Sequence, residues 1–315
     1  MRVYAINKII SILLPILVIG VVVGVVDAPQ NWTMLLVGVS LLGYTHYILG
    51  AYYQHKAWRQ RSNYRRFLGC FFVLSGLSVG CVVVALTYEI LWLVALLTIP
   101  YFVWHGYENE HTLYTRTTGQ RHSSLLLVGM SLLVVGATLD AFRHTSANFT
   151  YSLTYAHGLI PKFTGVLAYF NPYVYGVGSG LMIAGSIMVI LVTLRRRSAT
   201  TIFWSLVSVV LLGWFYIANP LPYIWLFVFL LTYHFLTWGI HYGVVFWPQS
   251  QKFMSYLWAH GLVVVGVVIV SIGMSSVTDQ FPLGLLNSEF FLGATLVHIS
   301  TSFLNDPWLQ KILRL

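Results

Sequence analysis

Runs of about twenty apolar residues, almost free of charge, follow one another along this chain with only short polar breaks. That is the length a bilayer core demands of a helix. Hydropathy places ten such segments, at roughly 8–27, 32–55, 67–88, 90–115, 123–142, 172–194, 200–218, 221–247, 254–274 and 283–305. Of the 315 residues, 58% are hydrophobic and 8% charged, against roughly 25% charged in soluble domains, which excludes a water-soluble fold. Backbone polar groups in hydrocarbon must be satisfied within their own segment. The expected class is therefore all-α, a polytopic integral membrane bundle of about ten transmembrane helices, with residues 1–315 forming one domain. The first apolar run lacks a small-residue cleavage site and leads straight into further spans, so it reads as a helix rather than a signal peptide.

The formal net charge of +9 is a topology signal, not a nucleic-acid one. Alternating the ten spans puts every Lys and Arg except Arg143 and Lys162 on the side that holds both termini. The positive-inside rule makes that side cytoplasmic, which implies a multi-pass protein of the plasma or inner membrane. Its loops are short and basic, as in Lys56-Ala-Trp-Arg-Gln-Arg61 and Arg195-Arg196-Arg197; the longest outer stretch runs from about 143 to 171. Cys70 and Cys81 share a span, about 16 Å of helix rise apart, too far for a disulfide. Asn31-Trp-Thr33 and Asn148-Phe-Thr150 match the glycosylation sequon and fall on the outer side. Spans two, four, eight and ten all run inward and carry histidine, a pattern that two parallel copies (spans one to four and seven to ten) would produce.

Six histidines lie inside apolar segments: His46, His105, His111, His234, His241 and His298. An imidazole in hydrocarbon needs a hydrogen-bond partner, a proton path or a metal, and so marks a functional site by default. Counted from the outer end of each span, His46, His105 and His298 lie roughly 21–24 Å into a core about 30 Å thick. His234 and His241 bracket that depth on one face of span eight, about 10 Å apart, so one metal does not readily take both from a straight helix. His55, His122 and His260 sit at the cytoplasmic edge, and His144 and His157 on the outer side. Each buried histidine also has a plain alternative, a hydrogen bond to a neighbouring helix.

Span four carries the densest group, Trp104-His105-Gly106-Tyr107-Glu108-Asn109-Glu110-His111, with Pro100 one turn earlier as a kink. His105, Glu108 and His111 are spaced by three and share a face. A carboxylate and a histidine so spaced form the pairing that di-iron bundles use, which makes Glu108 a candidate ligand and catalytic carboxylate. The expected ligand set is thus His46, His105, Glu108, His111, His234, His241 and His298. Neutral imidazole with one carboxylate suits iron, zinc or copper better than magnesium or calcium. Asn305, on the His298 face, and Asp306 could orient a ligand or simply end a helix before Pro307.

Trp104-His105 followed by His111, with isolated His46 and His298 on other helices, resembles the layout of polytopic histidine-ligated iron oxygenases of the Brp/Blh carotene dioxygenase type. The resemblance covers architecture rather than sequence and carries no residue role across. It implies Fe²⁺ as cofactor and oxidation or cleavage of a lipophilic molecule. The HxxxH and HxxHH boxes of membrane desaturases and alkane hydroxylases are absent.

The leading expectation is a membrane metalloenzyme with a mono- or di-iron site near the cytoplasmic face. Its substrate is a lipophilic small molecule reaching it from the bilayer, membrane lipid is its surroundings, and a cytoplasmic reductant is a candidate partner; nucleic acid is not. A haem protein for electron transfer is the first alternative, since bis-histidine ligation needs only two rings on facing helices. A proton-coupled transporter is the second, but a relay is distributed through the membrane depth whereas these residues cluster at one level.

Overall fold

The computed structural model describes residues 2–25, 30–88, 124–144, 171–197, 221–277 and 283–314, with scattered positions between 90 and 115 and between 201 and 209. The helices are α1 (Arg2–Val25), α2 (Gln30–Trp58), α3 (Tyr64–Thr87), α4 (Ser124–His144), α5 (Asn171–Arg195), α6 (Leu221–Phe246), α7 (Ser250–Val277), α8 (Ser288–Ser302) and α9 (Pro307–Leu313). Described positions from 94 to 115 and from 201 to 209 are helical as well, and there is no strand among the described residues. The all-α class expected from the sequence is what the chain adopts. Pro100, Glu110, the sequon at Asn148 and residues 145–170 of the outer stretch lie outside the described residues.

Each of α1 to α7 coincides with an apolar segment read from the sequence. The last segment, 283–305, does not form one continuous helix. Leu283 (φ 72°) and Gly284 (φ 53°) take left-handed backbone and open a 3-10 turn, Gly284–Leu286. Gly284 has no substitute there, because a Cβ would fall 2.5 Å from the Ser271 carbonyl oxygen. Asn287 then caps α8, its side chain accepting from the Glu289 N–H at 3.0 Å. A second 3-10 turn, Phe303–Asn305, ends it before Pro307. The 15 residues of α8 rise only about 22 Å, short of the roughly 30 Å hydrocarbon core.

Among the described residues, three helices are long and apolar enough to cross a membrane: Tyr64–Thr87, Gly176–Arg195 and Ser250–Val277. Their surfaces agree with that role. On α3, Phe72, Leu77 and Val83 are exposed while Ser78 is buried; on α7, Leu262, Ile269 and Ile272 are exposed while Ser271 is buried. Apolar outside and polar inside is a poor arrangement for water and a good one for lipid.

Contacts divide the chain into two compact units, Met1–Pro29 with Leu96–Thr237, and Gln30–Ala95 with Trp238–Leu315. In the first unit α4 and α5 pack backbone to backbone. A Cβ on Gly136 would fall 2.6 Å from the Gly178 carbonyl oxygen, and one on Gly185 would fall 2.6 Å from that of Gly129. Small residues at such spacing let helices approach where van der Waals contact, not water exclusion, must hold them together. Leu126, Met130 and Leu133 of α4 meet Met182 and Val189 of α5 in the core this creates.

A polar stripe on α1 completes this unit. Asn7 Nδ2 donates to the Thr237 carbonyl at 3.1 Å, Ser11 Oγ donates to Asn7 Oδ1 at 2.9 Å, and Lys8 Nζ donates to the Tyr233 hydroxyl at 2.9 Å. Lys8, which charge counting assigned to the basic cytoplasmic edge, is instead 2% exposed. Its stem and ammonium are accommodated by a phenol oxygen and by the Tyr233 ring, whose centroid is 4.9 Å away.

In the second unit α8 packs against α2 and α3 through polar contacts set in apolar surroundings. Tyr47 and Thr295 hydroxyls are 2.8 Å apart, Gln54 Nε2 donates to the Thr301 carbonyl at 2.8 Å, and Ser78 Oγ donates to Ser300 Oγ at 3.1 Å. Trp58 stacks on Phe67 at 4.8 Å and its Nε1 donates to Asn305 Oδ1 at 3.1 Å. Asn305 is thereby committed to the end of α8 and the close of α2. Cys70 and Cys81, both on α3, are free thiols.

Candidate metal centre

Two histidine pairs stand out, one in each unit. In the second unit His46 of α2 and His298 of α8 have ring centroids 4.6 Å apart and planes inclined 65°. His298 is buried and His46 half-buried. Tyr47 lies stacked on His298, centroids 4.6 Å apart at 25°, and its hydroxyl is held by Thr295, so the ring on which His298 rests is itself fixed. Gly50, one turn beyond His46, leaves the space that the His298 ring occupies: a Cβ there would lie 3.4 Å from His298 Cε1.

In the first unit His105 and His234 are both buried, with ring centroids 5.2 Å apart at 63°. Phe102 packs edge-on against His234 at 5.4 Å. Asn109 Nδ2, one turn on from His105, lies 3.0 Å from His105 Nε2, so the amide as placed donates to the ring. Its other orientation, with Oδ1 accepting from Nε2–H, would leave the Nδ1 lone pair for a metal.

These spacings are informative. Two imidazoles on one ion, each bonded at about 2.0–2.1 Å, hold their centroids roughly 5 Å apart. Both pairs meet that requirement, and the inclined planes suit rings pointing at a common atom better than rings stacked for dispersion alone. His46 with His298, and His105 with His234, are thus the group of histidines whose ring spacing within a unit suits a metal ion. Imidazole ligands without a carboxylate fit a first-row transition metal and not magnesium or calcium.

The remaining expected ligands stand outside that group. His111 is half-buried and its Nδ1 is 3.2 Å from the Thr115 hydroxyl, one turn further along its own helix. Glu108 is half-buried too. His241 packs between Trp238 and Tyr242, with centroids 5.7 Å and 5.5 Å away. Helix rise explains the selection: His111 lies about 9 Å beyond His105, and His241 about 10 Å beyond His234, along the axis. Bonds of about 2 Å cannot bridge such steps.

At the periphery, His260 Nδ1 donates to the Tyr256 carbonyl at 2.8 Å and His55 Nε2 is 2.8 Å from the Tyr64 hydroxyl, so both have local roles. His122 and His157 lie outside the described residues, as does the side chain of His144. Sequence reading overlooked Gly50 and Asn109. Each follows a histidine of one of these pairs by four residues, which is the signal that could have found them, because i and i+4 share a helix face. No family model matches this chain, and no curated protein or solved structure matches it.

Proposed function

We propose that the His46–His298 pair of one unit and the His105–His234 pair of the other each ligate a transition metal in a multi-pass membrane protein, and that this metal serves the oxidation or cleavage of a lipophilic molecule. The observation that carries this reading is the spacing of the two rings within each pair. Their depth in the sequence favours a site toward the cytoplasmic side of a bundle of about ten spans with both termini cytoplasmic. The exposed basic loop of Arg59, Arg61, Arg65 and Arg66 is suited to a soluble reductant docking there.

Iron is the metal this reading favours, and when bound it would supply the oxidising chemistry. The residues of the chain supply the rest. Tyr47 and Gly50 fix the position of His298, Asn109 sets the tautomer of His105, and apolar neighbours such as Phe102 keep bulk water from the histidines. With Glu108 outside the pairs, imidazole-only ligation is a better fit than a carboxylate-bridged di-iron site. The ring separations of 4.6 Å and 5.2 Å suit two histidines on one non-haem ion.

Titrating metal-free protein with Co²⁺ tests the proposal. The reading requires ligand-field bands in the visible that saturate, lose part of their intensity in His298→Ala or in His105→Ala, and vanish in the double variant. Featureless spectra at excess Co²⁺ would remove its basis.

A further inference from the structure

Arg65 lies in the first turn of α3, one of the three helices long and apolar enough to cross a membrane. Steps of four, three and four from it reach Gly69, Phe72 and Gly76, which fall within about 40° of Arg65 around the helix. All four are exposed, while Phe67 and Ser78, toward the opposite side, are buried. Nothing stands within 4 Å of the Cβ position of Gly69 or Gly76, so each leaves a shallow hollow beside the Phe72 ring. From Arg65 to Gly76 the stripe rises about 16 Å, close to half of a roughly 30 Å hydrocarbon core. The cationic end of the stripe is tied to α9. Arg66 Nη1 donates to the Arg314 carbonyl at 2.9 Å, which brings the end of α9, with its exposed Lys311 and Arg314, to the first turn of α3. On the other side of α9, Leu309 and Leu313 pack against Trp58, Phe67 and Leu304. No carboxylate among the described residues pairs with Arg65, Arg66, Lys311 or Arg314. Arg65 and Arg66 are moreover set against the positive end of the α3 dipole, where an anion is favoured and a cation is not.

We infer that Arg65, Arg66, Lys311 and Arg314 hold the phosphate of an anionic phospholipid of the bilayer, with one acyl chain lying along Gly69, Phe72 and Gly76. Guanidinium groups bind phosphate through paired N–H donors. A membrane-crossing α3 puts its first turn at the depth where those phosphates lie. The positive-inside rule accounts for the sign of these residues, but not for their convergence on Arg314 or for the open apolar stripe that continues from Arg65. A soluble acidic partner would satisfy the cations and leave that stripe unused; Arg59 and Arg61, in the loop before α3, are left for such a partner. The inference goes beyond the proposed metal centre and does not depend on it.

Native mass spectrometry of the whole chain in neutral detergent, titrated with dioleoyl phosphatidylglycerol or dioleoyl phosphatidylcholine, tests this. Phosphatidylglycerol should bind about tenfold or more tighter. Arg65→Gln, Arg66→Gln and Arg314→Gln should each weaken it about fivefold, and the triple variant about 100-fold, with phosphatidylcholine unaffected. Lys252→Gln, which removes an exposed cation from the first turn of α7, should leave both affinities unchanged. Gly76→Trp covers the acyl track at a position with room for it and should cost about fivefold. Glycerol 3-phosphate, the headgroup phosphate without chains, should not displace the lipid even at large excess. Equal affinity for the two lipids, a triple variant that keeps the parental preference, or parental binding in Gly76→Trp would overturn the inference. So would an equal loss in Lys252→Gln, or displacement by glycerol 3-phosphate. Displacement by polyglutamate would overturn it too, and would assign the arginines to a soluble acidic partner.

Discussion

Gly50 lies directly against His298: a methyl group on its α-carbon would stand 3.4 Å from the imidazole Cε1, at the edge of ordinary contact. One turn earlier on the same helix is His46, whose ring faces His298 at 4.6 Å. The position beside the pair has room for a methyl group and little more.

This contact sets up a graded series. Gly50→Ala should bind metal nearly as the parent does, since its Cβ just fits. Gly50→Val and Gly50→Leu should push the His298 ring aside and weaken metal affinity about 10–100-fold, the range seen when a ligand's support is lost. Competition against a chelator of known affinity reads this out, with circular dichroism confirming retained helix. Equal affinity across the series would show that His298 is not held for ligation.

Each histidine pair should behave as a unit. Alanine at His46 or His298 should remove the metal of that pair, and the second substitution within a pair should add little to the first; His105 and His234 should behave likewise. His111→Ala, His241→Ala and Glu108→Gln should retain the metal. Metal content per purified chain decides; a protein that loses its metal on removal of Glu108 would return the carboxylate to the ligand set.

Asn109 is a positioning residue. Asn109→Leu should lower metal affinity about 10–100-fold, and Asn109→Asp, which puts an acceptor toward His105 Nε2–H, should restore most of it. Rescue by the acceptor is the signature that separates orientation of the ring from packing. If both substitutions weaken binding alike, the hydrogen bond is not the cause.

The α4–α5 contact predicts a purely structural effect. Gly136→Val and Gly185→Val place side-chain atoms where backbone already stands, and overpacking of this kind costs about 1–3 kcal/mol. Thermal unfolding in detergent should fall for both, whereas Gly180→Ala, with no atoms within 4 Å of its Cβ position, should leave it unchanged.

How much of this was legible beforehand follows from the kind of signal each feature leaves. Apolar length placed α1 to α7, because the bilayer constraint acts on composition alone. The same criterion overran α8. Hydropathy carries no record of the left-handed backbone at Leu283 and Gly284, which breaks the segment while keeping it apolar. Histidines inside apolar runs were legible as candidates, His46, His105, His234 and His298 among them. Which of them pair was not, since a count of depth by residue number is coarser than a ring contact: His46 meets His298 and His105 meets His234. Lys8 was misplaced for the opposite reason: charge counting takes every cation as solvated, and a Tyr233 hydroxyl donated by a distant segment is invisible to it.

The most direct test of the central claim is metal analysis of protein purified without added chelator, combined with X-ray absorption at the edge of whatever metal is found. The account predicts stoichiometric transition metal, a first shell of nitrogen at about 2.0–2.2 Å with the outer-shell scattering of imidazole, and no Soret band. Protein that is correctly folded yet contains no stoichiometric metal, or whose metal shows a sulfur or haem environment, would contradict it.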